Sequence, residues 1–385
     1  MVEFSASQRR VARIALAVSL GIVAVTASGA APAWSRPAHG THCRPPAGYS
    51  NVDIGALGTG STSGVDLNNR GVVVGGSETP EGSHAFVWRR GRMTDITPAG
   101  STGGAAGVNE RGEVVHSWYD PAVGDYRTAI WRNGRSTVVL RGYDEVRGLN
   151  ERGEVLFFYA GLWRRGTFEP IQGSVEGTLI PQKLSNRGHV AGTILPYPPP
   201  GGGHPSPWTG FVWRDGALTP AFPPQGAAFR TVVDVDRSGR VLFEISNGWS
   251  SALWHDGHTT DLGTLGGSWV GPADLNEHGQ VVGSSTTASG DRHAFLWEDG
   301  TITDLHPVAG LNSWANKVNE RGEAAGAVGD SGSSAATVWA CGRAIPLDIA
   351  AFGSIATDIN DRGQVLSIAQ TPQGTRAILS TPIRR

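Results

Sequence analysis

Residues 273–305 read ADLNEHGQVVGSSTTASGDRHAFLWEDGTITDL, and this stretch decides the fold. It contains two turn signatures, Asn-x-x-Gly at Asn276–Gly279 and Trp-x-x-Gly at Trp297–Gly300. Asparagine and aspartate open tight turns through a side-chain oxygen, and glycine takes the positive φ that closes a hairpin. Four short runs rich in β-forming residues surround these turns. The stretch therefore predicts four antiparallel strands joined by tight turns.

Both signatures recur along the chain at a period of about 41 residues, which indicates stacked supersecondary units. The Asn-x-x-Gly anchor begins at Asn68, Asn109, Asn150, Asn276, Asn319 and Asn360, with Ser185 and Asp236 in the same slot of two further copies. The Trp-x-x-Gly anchor begins at Trp88, Trp131, Trp163, Trp213, Trp254, Trp297 and Trp339. Four strands in a unit of this length are typical of a β-propeller blade.

The two ends of the repeat region predict how the propeller closes. The eighth repeat stops after its third strand, whereas residues 49–55 match the fourth-strand pattern of residues 260–263. A strand from the N-terminal side can therefore complete the last blade and protect its edge. We predict an all-β propeller of eight four-stranded blades over residues 49–382. Seven blades remain the alternative, because the third repeat is compressed and the fourth enlarged.

The N-terminal region has the three parts of a secretory signal. Arg9, Arg10 and Arg13 precede the apolar residues 14–27, and small residues follow up to Ala33. We therefore predict a signal peptide over residues 1–33 and a leader over residues 34–48. The apolar run is shorter than the ~20 residues that span a bilayer, so we expect a secreted, extracellular protein without membrane insertion.

Composition excludes several classes of partner and fold. The chain has 385 residues, 55 of them glycine, and only 17% are charged, which argues against a coiled coil. Its net charge is −2 and it has two lysines, so no basic stripe is available for a nucleic-acid backbone. We expect a monomer whose partner is an extracellular polysaccharide or protein.

Several peptides resemble the HAF extracellular repeat family of bacteria. They are His84–Trp88 and His293–Trp297, with residues 261–267 and 274–276. The resemblance covers nearly all of residues 49–380, and it is weaker in the third to fifth repeats, where the His-Ala-Phe triplet is replaced. It implies a secreted, propeller-like protein without an established biochemical activity, and it provides no catalytic residues to transfer.

The two cysteines fall on the same face of neighbouring blades in this arrangement. Cys341 lies in the turn between the third and fourth strands of blade 7, and Cys43 leads into the strand that completes blade 8. We predict a disulfide between them, since extracellular proteins retain such bonds. Two free buried thiols are the alternative.

Five tryptophans stand outside the repeated slots and are the candidates for a ligand-binding face. We expect them in the loops between second and third strands, or in the connections between blades, which a propeller places on one face. Aromatic side chains there could stack on sugars or hold a peptide. A purely structural role, covering the loops, is the alternative. The five are Trp118, Trp208, Trp249, Trp269 and Trp314.

Other chemistry is less well supported by the sequence. Asp234, Asp236 and Ser238 resemble the start of a calcium loop, although turn formation is the simpler interpretation. A hydrolase at the channel mouth is the alternative function, with acidic residues that occur in single repeats as its candidates. Those residues are Asp120, Asp144, Glu145 and Glu176.

Two further patterns invite a catalytic interpretation that we consider weaker. The tetrapeptide 329–332 resembles the nucleophile motif of chymotrypsin-like proteases, but the companion patterns of that fold are missing. Asp53, Asp95, Asp261 and Asp304 recur in equivalent strands, so we interpret them as hydrogen-bond acceptors within each blade.

Overall fold

The computed structural model describes residues 43–159, 161–198, 207–221, 229–245, 250–306, 308–330 and 332–384. These residues form strands β1 to β32 without a helix, and hence without a helix that could cross a membrane. The strands make eight antiparallel sheets of four strands each, which are the blades of a β-propeller. The predicted all-β fold and the predicted eight blades are confirmed, and the seven-blade alternative is wrong.

In blades 1 to 7 the strands follow one another in chain order, whereas β1 is the fourth strand of blade 8. Blade 1 consists of β2 (Thr62–Leu67), β3 (Val73–Thr79), β4 (Gly82–Arg89) and β5 (Arg92–Asp95), and blade 2 of β6 (Thr102–Val108), β7 (Val114–Asp120), β8 (Asp125–Arg132) and β9 (Arg135–Arg141). Blade 3 consists of β10 (Val146–Leu149), β11 (Val155–Phe157), β12 (Gly161–Arg164) and β13 (Thr167–Glu169), and blade 4 of β14 (Gly177–Leu184), β15 (Val190–Pro196), β16 (Thr209–Arg214) and β17 (Ala217–Ala221). Blade 5 consists of β18 (Phe229–Val235), β19 (Val241–Ile245), β20 (Ser250–His255) and β21 (His258–Asp261), and blade 6 of β22 (Gly266–Leu275), β23 (Val281–Thr287), β24 (Arg292–Glu298) and β25 (Thr301–Asp304). Blade 7 consists of β26 (Ser313–Val318), β27 (Ala324–Val328), β28 (Ala335–Ala340) and β29 (Arg343–Pro346), and blade 8 of β30 (Gly353–Ile359), β31 (Val365–Thr371), β32 (Gly374–Ile383) and β1 (Gly48–Asp53).

The strand from the N-terminal side completes blade 8, as the sequence predicted. β1 pairs antiparallel with β32, with Asn51 opposite Ser380. The Ser380 hydroxyl donates to Asn51 Oδ1 at 2.7 Å, and Asn51 Nδ2 donates to the Leu347 carbonyl of blade 7 at 2.6 Å. The first strands of consecutive blades also contact one another all the way round, including β30 with β2. The ring is therefore closed, and its first strands surround a central channel.

The asparagine of each anchor has two separate structural roles. In blade 8, Asn360 Oδ1 accepts hydrogen bonds from the amides of Arg362 and Gln364, which shapes its own turn. Asn360 Nδ2 donates to the Asn68 carbonyl of blade 1 at 2.9 Å. The same bond to the next blade, at 2.9–3.1 Å, is made by Asn68, Asn109, Asn150, Asn276 and Asn319. Anchor asparagines therefore link blade 1 to 2, 2 to 3, 3 to 4, 6 to 7, 7 to 8 and 8 to 1.

Blade 5 makes this link in a different way. Asp236 stands in the anchor slot and cannot donate, but its carboxylate accepts Arg240 Nε at 2.5 Å. Arg240 Nη2 then donates to the Glu277 carbonyl of blade 6 at 2.9 Å. An arginine four residues after the anchor thus replaces the missing amide.

Every first strand carries a β-bulge that the sequence did not predict. In all eight blades the register between the first and second strands shifts next to the residue that stands two positions before the anchor. In blade 7, for example, the shift lies between Ala315 and Lys317, and the anchor is Asn319. A bulge bends the strand and redirects side chains. The residue after each bulge therefore occupies an equivalent place around the channel.

Several tryptophans of the Trp-x-x-Gly anchors are core residues. Trp213 and Trp339 are 1% and 0% exposed, and Trp88 packs in one cluster with Leu366 of blade 8. The predicted disulfide between Cys43 and Cys341 is also present, with a Cα separation of 5.6 Å. It attaches the residues that precede β1 to blade 7.

Candidate functional site

Two of the five candidate tryptophans, Trp118 and Trp208, are found in unlike surroundings. Trp118 lies within β7 rather than in a loop, is 7% exposed and stacks on His116 with ring centroids 5.0 Å apart. Burial makes Trp118 part of the blade interior. Trp208 precedes β16 and is 48% exposed. Trp249 lies outside the described residues.

The other two tryptophans meet at one arginine. Trp269 and Trp314 lie in the first strands of blades 6 and 7, not in the connections where the sequence placed them. Arg292 Cζ is 5.2 Å from the Trp269 ring centroid and 5.6 Å from that of Trp314. The attraction between a guanidinium and an indole face is worth about 0.5–1 kcal/mol at an exposed site. We call these three residues the Trp–Arg–Trp cluster.

Local irregularity in β22 positions Trp269. The register with β23 shifts between Gly266 and Val270, and the Trp269 amide donates to Thr286 Oγ1 at 3.0 Å instead of to a ladder carbonyl. A Cβ on Gly271 would lie 2.5 Å from Trp269 Cζ2. Glycine at position 271 therefore lets the indole ring lie against its own strand.

Arg292 is exposed, and its orientation is fixed from two sides. It is the first residue of β24, where its amide donates to Asn312 Oδ1 at 3.1 Å. Its Nε donates to Ser284 Oγ at 2.8 Å. Among the described residues no carboxylate forms an ion pair with it, and the adjacent Asp291 accepts Ser289 Oγ of its own loop and the Gly310 amide of the connection between β25 and β26. Partial loss of hydration lowers the pKa of Arg292; an arginine guanidinium is effectively always protonated in proteins.

The cluster lines a cavity of ≈ 180 Å³ between blades 5, 6 and 7. Its charged lining residues are Arg292 and Glu244, and Glu244 is paired with Arg230 at 2.9 Å. Ser284 and Asn316 add polar atoms to the wall. Pockets that enclose a drug-sized ligand measure roughly 300–1,000 Å³. This cavity therefore suits one ring or end group of a larger ligand.

A second cavity, of ≈ 250 Å³, lies among the first strands of blades 4 to 8. Four residues that follow the bulges line it: Asp234, Asp274, Lys317 and Asp358. The remaining blades carry Asp66, Gly107, Gly148 and Lys183 in the same position. The channel is therefore surrounded by a ring in which acidic side chains outnumber lysines.

Hydrogen bonds to neighbouring blades hold these carboxylates in place. Asp274 accepts Lys317 Nζ at 2.8 Å, and the Leu67 amide donates at 2.9 Å to both Asp66 and Asp358. Burial, and then repulsion from Asp66, raises the pKa of Asp358 to about 8. Burial and the nearby Asp274 raise the pKa of Asp234 to about 6. The Asp274 carboxylate raises the pKa of Lys317.

The calcium candidates of the fifth repeat do not present free oxygens together. Asp236 accepts the amide and hydroxyl of Ser238 and the amide and Nε of Arg240. Both oxygens of Asp236 thus serve the turn, whereas Asp234 belongs to the channel ring. Among the described residues no group of three or more acidic, histidine or cysteine side chains could hold a metal ion.

The acidic residues considered for a hydrolase have local partners. Asp120 lies 4.0 Å from Arg127, Glu145 lies 3.2 Å from Arg147, and Asp144 accepts the Tyr159 amide at 3.1 Å. Neither of the two cavities described above has these carboxylates or Glu176 among its lining residues. Ser331 of the protease-like tetrapeptide lies outside the described residues.

The recurring aspartates act within their blades, as we interpreted them. Asp304 Oδ1 accepts the His306 amide at 2.8 Å, and its Oδ2 lies 2.7 Å from His293 Nδ1. Asp95 makes the same pair of contacts with Thr97 and His84. These residues fix the ends of fourth strands, and nothing in their contacts suggests a catalytic role.

Sequence reasoning missed Arg292 and the channel ring. Aligning the repeats on the anchor tryptophan would have shown the slot five residues before it, which holds Arg292 in blade 6. The same slot holds Tyr126, Phe158, Trp208 and Trp249 in blades 2 to 5. The ring was hidden because its residues differ from one repeat to the next and become equivalent only through the bulge.

No protein-family model and no curated protein sequence matches the chain. Solved structures do resemble it. The acylaminoacyl peptidase of Pyrococcus horikoshii is 11% identical, with a TM-score of 0.45 over 84% of this chain and 52% of that one. The β-propeller domain of the trilobed protease from Pyrococcus furiosus is 10% identical, with a TM-score of 0.41 over 83% and 93%.

A puromycin-hydrolysing peptidase of Mycobacterium tuberculosis is 13% identical, with a TM-score of 0.48 over 90% of this chain and 57% of that one. The chain thus spans little more than half the length of the two full peptidases it resembles. At such low identity the likeness concerns the propeller architecture alone.

Proposed function

We propose that the chain is an extracellular, non-enzymatic binding module for a polysaccharide, with the Trp–Arg–Trp cluster contacting one sugar unit. One observation carries the proposal: tryptophans from adjacent blades flank a single cavity that also holds polar groups. A sugar ring has an apolar C–H face and an edge of hydroxyl groups. Indole rings match the face, and side chains such as Asn316 and Ser284 can serve the edge.

Three features of the chain support an extracellular place of action. The predicted signal peptide would direct export, and the resemblance to HAF repeats implies a secreted protein. The Cys43–Cys341 disulfide suits an oxidising environment. A cell-envelope polymer is the ligand we favour, and an extracellular protein is the second ligand class.

The test is retention on a panel of insoluble and soluble polysaccharides that includes peptidoglycan. We expect the mature protein to bind at least one polymer. Trp269→Ala and Trp314→Ala should each weaken that binding about tenfold, since stacking contacts and buried aromatic area typically contribute 1–2 kcal/mol. Calorimetry with soluble fragments measures the loss.

Trp208→Ala is the matched control, because Trp208 is exposed and lies outside the cavity. It should bind like the wild type. Absence of retention on every polymer, or equal weakening by all three substitutions, would reject the proposed site. Near-ultraviolet circular dichroism of each variant checks that the blades remain folded.

A hydrolase remains the second candidate, and one observation of the channel favours it. Asp66 and Asp358 accept the same Leu67 amide, and Asp358 has its pKa raised to about 8. A carboxyl that keeps its proton at neutral pH can act as a general acid. Release of soluble product from the same panel, abolished in Asp358→Asn, would establish hydrolysis and reject the binding-only proposal.

A further inference from the structure

We infer that the cavity of the Trp–Arg–Trp cluster recognises a carboxylate-bearing sugar, of the kind found in uronic-acid polysaccharides. The inference rests on the proposed carbohydrate binding and names the class of sugar. The Arg292 guanidinium, held between two indole rings at the wall of the cavity, is the group that would select it.

The charge of the cavity favours an anion. Its two charged lining residues are Glu244 and Arg292. Arg230 lies 2.9 Å from Glu244 and neutralises it, whereas Arg292 has no carboxylate partner among the described residues. The cavity therefore has an uncompensated positive charge beside two aromatic faces.

The hydrogen bonds of Arg292 leave its outer nitrogens available. Arg292 Nε donates a hydrogen bond to Ser284 Oγ, and no described residue accepts a hydrogen bond from Nη1 or Nη2. These two nitrogens form the planar fork that matches both oxygens of a carboxylate. Because Ser284 and the indole rings already fix the guanidinium, little side-chain entropy would be lost when a ligand binds.

Two arginines with low exposure show how this protein pairs such groups when their role is structural. Arg127 lies 3.7 Å from Asp125 and 4.0 Å from Asp120, and Arg376 lies 3.9 Å from Asp53. Arg376 also donates to the Gly60 carbonyl at 2.7 Å. Arg292 is exposed and has Asp291 as its chain neighbour, yet that carboxylate accepts Ser289 Oγ and the Gly310 amide instead of Arg292.

A uronic acid fits both parts of the site. Its ring supplies the apolar face for Trp269 or Trp314, and the carboxylate on the ring edge would reach Arg292. A phosphodiester polymer without sugar rings would satisfy the arginine but not the indole faces. The aromatic walls therefore favour the uronic acid over such a polymer.

The experiment compares three polymers that differ at one group: polygalacturonate, its methyl ester, and its carboxyl-reduced form. We expect the wild type to bind the uronate about tenfold more tightly than the other two, since bonds between an arginine and a carboxylate are about twice as strong as neutral ones. Arg292→Gln should bring the three affinities to within about twofold of one another. Arg292→Lys should restore part of the preference, because lysine keeps the charge but not the fork.

Arg141→Gln is the control, since Arg141 is exposed and lies outside the cavity, and it should leave the preference unchanged. Equal binding of all three polymers by the wild type, with binding still reduced in Trp269→Ala, would overturn the acidic-sugar inference and leave the proposed function standing. Tighter binding of poly(glycerol phosphate) than of polygalacturonate would also overturn the inference. Absence of binding to any polymer would reject both.

Discussion

Replacing Asn360 by aspartate tests whether the anchor amides hold the ring closed. Aspartate keeps the oxygen that accepts the Arg362 and Gln364 amides, so the local turn should survive. It removes the Nδ2 that donates to the Asn68 carbonyl, one of the bonds between blade 8 and blade 1, and that also donates to Gln364 Oε1. The substitution therefore separates closure of the ring from formation of the turn.

The expected cost follows from the two changes at this site. A lost internal hydrogen bond costs about 1 kcal/mol, and Asn360 is only 5% exposed. The new carboxylate would also face the Asn68 carbonyl oxygen without a donor, and leaving such a buried group unpaired adds about 1–2 kcal/mol. We expect the free energy of unfolding to fall by about 2–3 kcal/mol.

Blade 5 provides the matched rescue. There the anchor is Asp236, and Arg240, four residues later, bonds the carboxylate and donates to blade 6. Gln364 stands in the position of Arg240, so Asn360→Asp combined with Gln364→Arg copies blade 5 into blade 8. The double variant should recover at least half of the lost stability.

Equilibrium unfolding in guanidinium chloride, followed by tryptophan fluorescence and far-ultraviolet circular dichroism, measures both variants with the disulfide intact. Coincidence of the two signals checks that one transition is being compared. A single variant within about 0.5 kcal/mol of the wild type would refute the role given to the anchor amides. A double variant no more stable than the single one would refute the equivalence of the two blades.

Three further predictions concern the disulfide and two buried titratable groups. Replacing Cys43 and Cys341 by serine should lower the free energy of unfolding by about 2–5 kcal/mol and speed hydrogen exchange in β1, because a long closed loop would be released. Unchanged hydrogen exchange in β1 would contradict the role of the disulfide in attaching the residues before β1 to blade 7. Burial lowers the pKa of His116 to about 4, so on acidification the imidazole binds a proton in the unfolded chain before it does so in the folded protein, and stability should fall as the pH drops from about 6.5 to 4. In an acid titration of the unfolding midpoint, His116→Gln should show a smaller fall than the wild type, and equal slopes would contradict the prediction. The pKa of Asp358 in the folded protein, about 8, lies above its unfolded value, so the contribution of this group to folding stability is complete below about pH 4 and declines as the pH rises to about 8. The unfolding midpoint of Asp358→Asn should therefore decline less from pH 5 to 8 than that of the wild type, and parallel curves for the two proteins would count against the raised pKa.

The turns and the blade count could be predicted because they depend on short-range chemistry. Asn133 and Gly134, for example, both take positive φ, as the hairpin between β8 and β9 requires. Such signals repeat in each unit, so eight copies reinforce one another. Closure by β1 could also be predicted, because the N-terminal strand repeats the fourth-strand pattern.

The channel ring and the Trp–Arg–Trp cluster depend on contacts that no local signal records. A bulge in each first strand decides which residue lines the channel, and it carries no distinctive residue type: the slot holds aspartate, lysine or glycine. Trp118 was assigned to an exposed loop, but it lies in β7 and its ring stacks on His116. Trp269 and Trp314 meet only because neighbouring blades place their first strands side by side.

The most direct measurement is a crystal structure of the protein with a short oligosaccharide of galacturonic acid. The account predicts electron density for a sugar ring against Trp269 or Trp314, with both carboxylate oxygens within about 3 Å of the Arg292 guanidinium. A ligand bound elsewhere on the propeller, or one in this cavity with its carboxylate directed away from Arg292, would contradict it.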